Sequence, residues 1–123
     1  MSGLSQGWFD FAGHFNNRAA KIHEWAKEKG FWDLDEGFEE PRDKLPEKLC
    51  LIHSEISECL EADRQGDLFD DKLVNRKGVE VELADAVIRI MDLAQALDLD
   101  LGTTIAEKMV YNQNRPYKHG KEY

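Results

Sequence analysis

Four acids in two pairs carry the most chemical potential in this chain. Glu55 and Glu58 lie one helical turn apart, and Glu82 and Asp85 repeat that spacing downstream. Side chains three residues apart share a helix face, so each pair can turn two carboxylates toward one ligand. Around the first pair, Leu45, Leu49, Ile52, Ile56 and Leu60 recur at helical steps and form an apolar stripe over Leu45–Arg64. At about 100° per residue, Glu55 and Glu58 fall roughly 80–140° to one side of that stripe, in a sector shared with Leu51 and Ala62. Acids bracketed by apolar neighbours are poorly explained as a solvated surface. Meeting across two helices, the two pairs would hold a divalent metal.

The structural alternative is a salt bridge. Arg89 follows Asp85 by one turn and Glu82 by two, so it can pair with either, or with Glu58 across helices. One arginine does not neutralise four acids, and each acid buried unpaired costs several kcal/mol. A further cation is therefore required if all four converge. An all-carboxylate set selects a hard ion, Mg²⁺ or Mn²⁺, over zinc or copper. A di-iron site of the helical-bundle kind would need Glu-x-x-His pairs, and none of the four histidines supplies one.

A second cluster is basic. Lys108 and Asn112 share a helical face, and Arg115, Lys118 and His119 follow closely. Cations suit a helix C-terminus in any protein. Against a net charge of −9, however, this concentration reads as a clamp for phosphate oxygens, formed by Lys108, Asn112, Arg115 and Lys118. Aromatic side chains make a third group. Most serve the core, while Trp8, Trp25 and Trp32 are the candidates for stacking on a planar base.

The elements that must position these groups are helices. Trp8, Phe11, Phe15, Ala19 and Ile22 recur at helical spacing over residues 5–29, with Gly30 as a stop. Residues 31–42 form an acidic connecting loop, tucked onto the body by Trp32 and Phe38. Pro46 suits the first turn of the helix that ends at Arg64. Residues 68–76 are a charged connector with some helical content. Residues 78–97 are the most hydrophobic segment, with Leu83, Val87, Ile90, Ala94 and Leu97 in one stripe and Ala84, Ile88 and Met91 in another. A last helix is expected over 101–112, capped by Asp100 or Thr103. The pattern is all-α, a four-helix bundle in a single domain over residues 1–123. So apolar a third helix is hard to cover within four helices, which points to a dimer or higher oligomer.

The acidic balance argues against a nucleic-acid polymer as partner, because no basic face is extensive enough to track a phosphate backbone. A small anion escorted by a metal remains compatible. Cys50 and Cys59, about 13 Å apart on one helix, are too distant to bridge and read as reduced, packed thiols. No apolar run is long enough to span a membrane and no signal-peptide core precedes the first helix, so a cytoplasmic location is expected.

Glu55-Ile56-Ser57-Glu58, followed after 23 intervening residues by Glu82-Leu83-Ala84-Asp85, resembles the Glu-x-x-Glu … Glu-x-x-Asp signature of the MazG-like all-α nucleoside triphosphate pyrophosphohydrolases. Lys108, Asn112 and Arg115 are spaced as in that family's C-terminal Lys-x-x-x-Asn-x-x-Arg element. The resemblance covers roughly residues 45–120. It implies a MazG-type fold, Mg²⁺ held by Glu55, Glu58, Glu82 and Asp85, and hydrolysis of a (deoxy)nucleoside triphosphate to monophosphate and pyrophosphate in nucleotide-pool housecleaning. It also implies a homodimer or dimer of dimers with the site near the subunit interface. Glu55 or Glu58 would then serve as base for the attacking water. Glu61, on the far side of the wheel, is assigned to the surface. The alternative is a non-enzymatic helical dimerisation or nucleotide-sensing module whose acids make only salt bridges.

Overall fold

The computed structural model describes residues 3–122, except the side chain of His119. Its four α-helices are α1 (Gln6–Glu28), α2 (Leu45–Arg64), α3 (Gly78–Ala96) and α4 (Leu101–Gln113), with 3₁₀ turns at Pro41–Lys44 and Tyr117–Gly120. Among the described residues there is no strand, only an isolated bridge between Phe69 and Lys77. The connector at 68–76 is not helical. Asp70 instead accepts from the backbone N–H groups of Lys72 and Leu73, an Asx-type turn that competes with helix formation. Among the described residues, no helix is long and apolar enough to cross a membrane.

Local chemistry sets the helix ends. Ser5 caps α1 by accepting from Trp8 N, and Asp100 caps α4 by accepting from Thr103 N. Gly30, at φ +85°, ends α1, and the following Phe31 N–H bonds back to the Ala26 carbonyl at 3.1 Å. This turn drops Trp32 into the core, 8% exposed beside Ala26 and Leu93.

The bundle is built on α1. Ala12, Ala19 and Ala26 are spaced by sevens and nearly fully buried, so the neighbouring backbones come close. His23 on the C-terminal half of α1 meets Asp92 of α3. On the N-terminal half, Asn16 donates to Asp100 at 2.6 Å and accepts from Gly102 N at 2.9 Å, pinning the start of α4. α3 and α4 thus run in succession along one helix, and α4 leads away from the acids of α3. α2 packs chiefly on α3, antiparallel to it: Glu55 meets Arg89, and Cys59 lies near Val79.

A Cβ at position 102 would sit 2.5 Å from the Ala12 carbonyl oxygen and 2.8 Å from Asn16 Oδ1. The backbone oxygen cannot move without shifting α1. Gly102→Ala is therefore expected to destabilise the fold by about 1–3 kcal/mol despite its better helix propensity. Thermal unfolding checks this; an unchanged or raised Tm would contradict the packing described.

Two sequence expectations need correction. The apolar stripe of α2 is split: Leu45 and Ile52 pack inward, whereas Leu49, Ile56 and Leu60 are exposed. The sector holding Glu55 faces α3 instead, which is why that acid is buried. Cys50 is exposed and not packed, while Cys59 is half-buried with its thiol 3.8 Å from the Val79 carbonyl; both are free. Glu61 is exposed as expected.

Candidate metal centre

Antiparallel pairing of α2 and α3 brings Glu55, Glu82 and Asp85 together. One carboxylate oxygen from each lies within 4.8 Å of the others. Glu55 is buried, and Glu82 and Asp85 are half-buried. Glu58 is exposed, one turn further along α2, and stands outside this triad, although it is near enough to raise the Glu82 carboxyl.

Arg89 takes neither Asp85 nor Glu58 as its partner. Its Nε donates to Glu55 Oε1 at 2.9 Å. The structural salt bridge expected on α3 is replaced by one across helices, because the side chain reaches toward the acid buried on α2. This single bond leaves the cluster underneutralised. Glu55 Oε2 and Glu82 Oε2 are both buried without any hydrogen-bond partner, a condition that costs free energy unless a proton or a cation fills it.

The titration behaviour follows. Burial pushes Glu82 up to about 7, helped by hydrogen-bonding contact with Glu55 and Glu58 and by their charges. Asp85 is raised by burial and then by the Glu55 charge, with Arg89 opposing. For Glu55, burial acts upward but is outweighed by the Arg89 hydrogen bond, contact with Glu82 and the Arg89 charge, leaving its carboxyl below the ordinary value. Below about pH 7 Glu82 thus keeps its proton in this nest of acids. That donor set, all oxygen and partly unpaired, fits a hard divalent ion taking the place of the proton.

Beside the acids opens a cleft of about 190 Å³, lined by Trp25, Lys48, Glu55, Asp85, Arg89 and Asp92 among others. Of the three tryptophans expected to stack on a base, Trp25 lines this cleft and is half exposed. Trp32 is buried, its indole N–H donating to both oxygens of Asp92 at 2.9 Å and its face covered by Lys48 Nζ at 4.5 Å. Trp8 packs edge-on against Phe11, about 25 Å along α1 from Trp25, and does not line the cleft.

The basic cluster also lies elsewhere. None of Lys108, Asn112, Arg115 and Lys118 lines the cleft. Lys108 and Arg115 both sit over the ring of Tyr111, Lys118 sits over Tyr117, and Asn112 Oδ1 is buried without a partner. Because α4 covers the N-terminal half of α1, one chain does not bring its cations to its acids.

Three residues gained importance only in the structure. His23 Nδ1 lies 2.7 Å from Asp92 Oδ1, and Lys48 Nζ donates to the Phe31 carbonyl at 2.9 Å, so the 31–32 turn is clamped between α1, α2 and α3. Lys48 precedes Glu55 by two helical turns and shares its face, a signal readable on the wheel. Asp92 offered no such cue.

Fold and site together define an all-helical protein with a three-carboxylate centre on an antiparallel helix pair. Comparisons with protein-family models, curated proteins and solved structures found no match.

Proposed function

We propose that this chain is a MazG-like, Mg²⁺-dependent nucleoside triphosphate pyrophosphohydrolase that releases the monophosphate and pyrophosphate. The observation carrying the proposal is the pair of buried, partnerless oxygens on Glu55 and Glu82, in a triad whose Glu55 and Asp85 line a cleft walled by Trp25 and Phe31. Glu55, Glu82 and Asp85 would hold the ion, with Glu58 at their exposed edge. When bound there, Mg²⁺ or Mn²⁺ supplies charge neutralisation and acidifies water. Glu58, exposed and not engaged by Arg89, takes the proton of the water that bonds to the α-phosphorus. The bond from the α-phosphorus to the bridging oxygen breaks, and pyrophosphate departs. Trp25 and Phe31 stack on the base.

The oligomer belongs to the same proposal. Ile56 and Leu60 on α2, and Leu83, Val87 and Ile90 on α3, are 39–55% exposed. A second copy, in a homodimer or dimer of dimers, would cover them and bring its Lys108, Asn112 and Arg115 to the acids. Val87→Asp is expected to shift the protein to monomer in light scattering after gel filtration; a wild type that is already monomeric would contradict the assembly.

A panel of canonical and damaged nucleotides, including phosphoribosyl-ATP for the neighbouring activity of the same superfamily, tests the reaction and identifies the base and sugar. Cleavage of none of them with Mg²⁺ or Mn²⁺ would favour the non-enzymatic dimerisation or nucleotide-sensing module, to which the Arg89–Glu55 ion pair is equally suited.

A further inference from the structure

The cleft holds two cations of its own. Arg89 meets Glu55 through Nε alone, although arginine and a carboxylate commonly pair through two parallel bonds. Among the described residues its two terminal amino groups make no hydrogen bond, and its side chain is 40% exposed on the cleft wall. Both members of the ion pair therefore keep unused capacity: Glu55 Oε2 for a cation, and the Arg89 fork for an anion. Lys48 lines the same cleft. Of its three N–H donors, one reaches the Phe31 carbonyl and one faces the Trp32 ring, which leaves a third. Burial first, then the charge of Lys44, holds its ammonium below the ordinary value, while Asp92 opposes that and Arg89 adds to it. An anion in the cleft would offset the mutual repulsion of these cations.

We propose that Arg89, assisted by Lys48, binds the phosphoryl oxygens of the ligand from the same chain that supplies the acids. Within the nucleotide reading on which this rests, the basic cluster on α4 is then a second phosphate contact and not the first. The planar fork of Arg89 fits two oxygens of one phosphoryl group, and Lys48 acts as a point charge beside it.

Calorimetric titration of inorganic tripolyphosphate into the Mg²⁺-saturated protein tests this without requiring hydrolysis. Arg89→Gln is expected to weaken binding about tenfold or more, Arg89→Lys to weaken it less, and Lys48→Gln to weaken it several-fold. Each variant should keep the rise in Tm on adding Mg²⁺, which separates loss of the anion contact from loss of the metal. Tripolyphosphate affinity unchanged in Arg89→Gln overturns the proposal, as does a wild type that does not bind tripolyphosphate. Should Arg89→Gln fail to fold, unchanged affinity in both Arg89→Lys and Lys48→Gln overturns it equally. Tripolyphosphate binding that depends on Arg89 in a protein that cleaves no nucleotide would sink the hydrolase reading and leave this site standing.

Discussion

Glu58→Gln is expected to lower the rate of pyrophosphate release by about a hundredfold or more, the range set by losing a general base. Asp85→Asn is expected to lower it at least as far, for a different reason. Glu58 is exposed at the edge of the triad, whereas Asp85 contributes one of the oxygens gathered within 4.8 Å. The two variants should therefore differ in a second measurement. Glu58→Gln keeps most of the thermal stabilisation by Mg²⁺, because the triad is intact. Asp85→Asn loses it, because a neutral amide is a weaker partner for a hard ion. If Glu58→Gln abolishes the Mg²⁺ response while Asp85→Asn preserves it, the roles are reversed and the triad is not the metal site.

The second large effect is a pH-dependent stability that Mg²⁺ removes. Glu82 is raised from 4.5 to about 7, and Asp85 is also raised. Between pH 4.5 and 7 the folded chain thus holds a proton that the unfolded chain has released. The stability associated with that proton is fully present below about pH 4.5 and is lost as pH rises through 7. Glu55 is shifted downward and acts oppositely, with stability present above its unfolded value and lost on acidification below it. In EDTA, Tm should fall between pH 5 and 8, by on the order of 5 °C. Glu82→Gln should flatten that fall, since its amide carries no charge to release. Above pH 7 a divalent ion replaces the proton. At about a hundred times its Kd, Mg²⁺ adds about 2.7 kcal/mol, on the order of 10 °C for a chain of this length. Scanning calorimetry across pH, with and without Mg²⁺, checks both parts. A Tm in EDTA that rises steadily from pH 5 to 8, with no response to Mg²⁺, would mean that the acids neither keep a proton nor bind metal.

Helices and caps were legible in the sequence because they depend on neighbours a few residues away. The recurrence of apolar residues located all four helices, and Ser5, Asp100, Gly30 and Pro46 marked ends that the structure keeps. Of the four acids expected to converge, Glu55, Glu82 and Asp85 do so and Glu58 stands outside; that much was legible because a wheel shows which acids lie off the polar face. The partner of Arg89 was not. Angles on a single helix do not reveal how far a side chain reaches across to the next, and Glu55 sits deeper than Asp85. The whereabouts of Lys108 and Arg115 depend on the direction taken after residue 97. There Asp98, at φ +60°, closes α3, and the Asn16–Gly102 contact sends α4 along the far half of α1. The place of Trp8 was hidden for the same reason: along α1 it shares the aromatic pattern of Trp25 but does not line the cleft.

The central claim is chemical, and ³¹P NMR of the hydrolysis products tests it most directly. With Mg²⁺ and the nucleotide that the panel selects, the wild type should convert the triphosphate into equal amounts of nucleoside monophosphate and pyrophosphate, with no orthophosphate, and Asp85→Asn should leave the triphosphate intact. Release of orthophosphate and a nucleoside diphosphate, or product formation undiminished in Asp85→Asn, would contradict it.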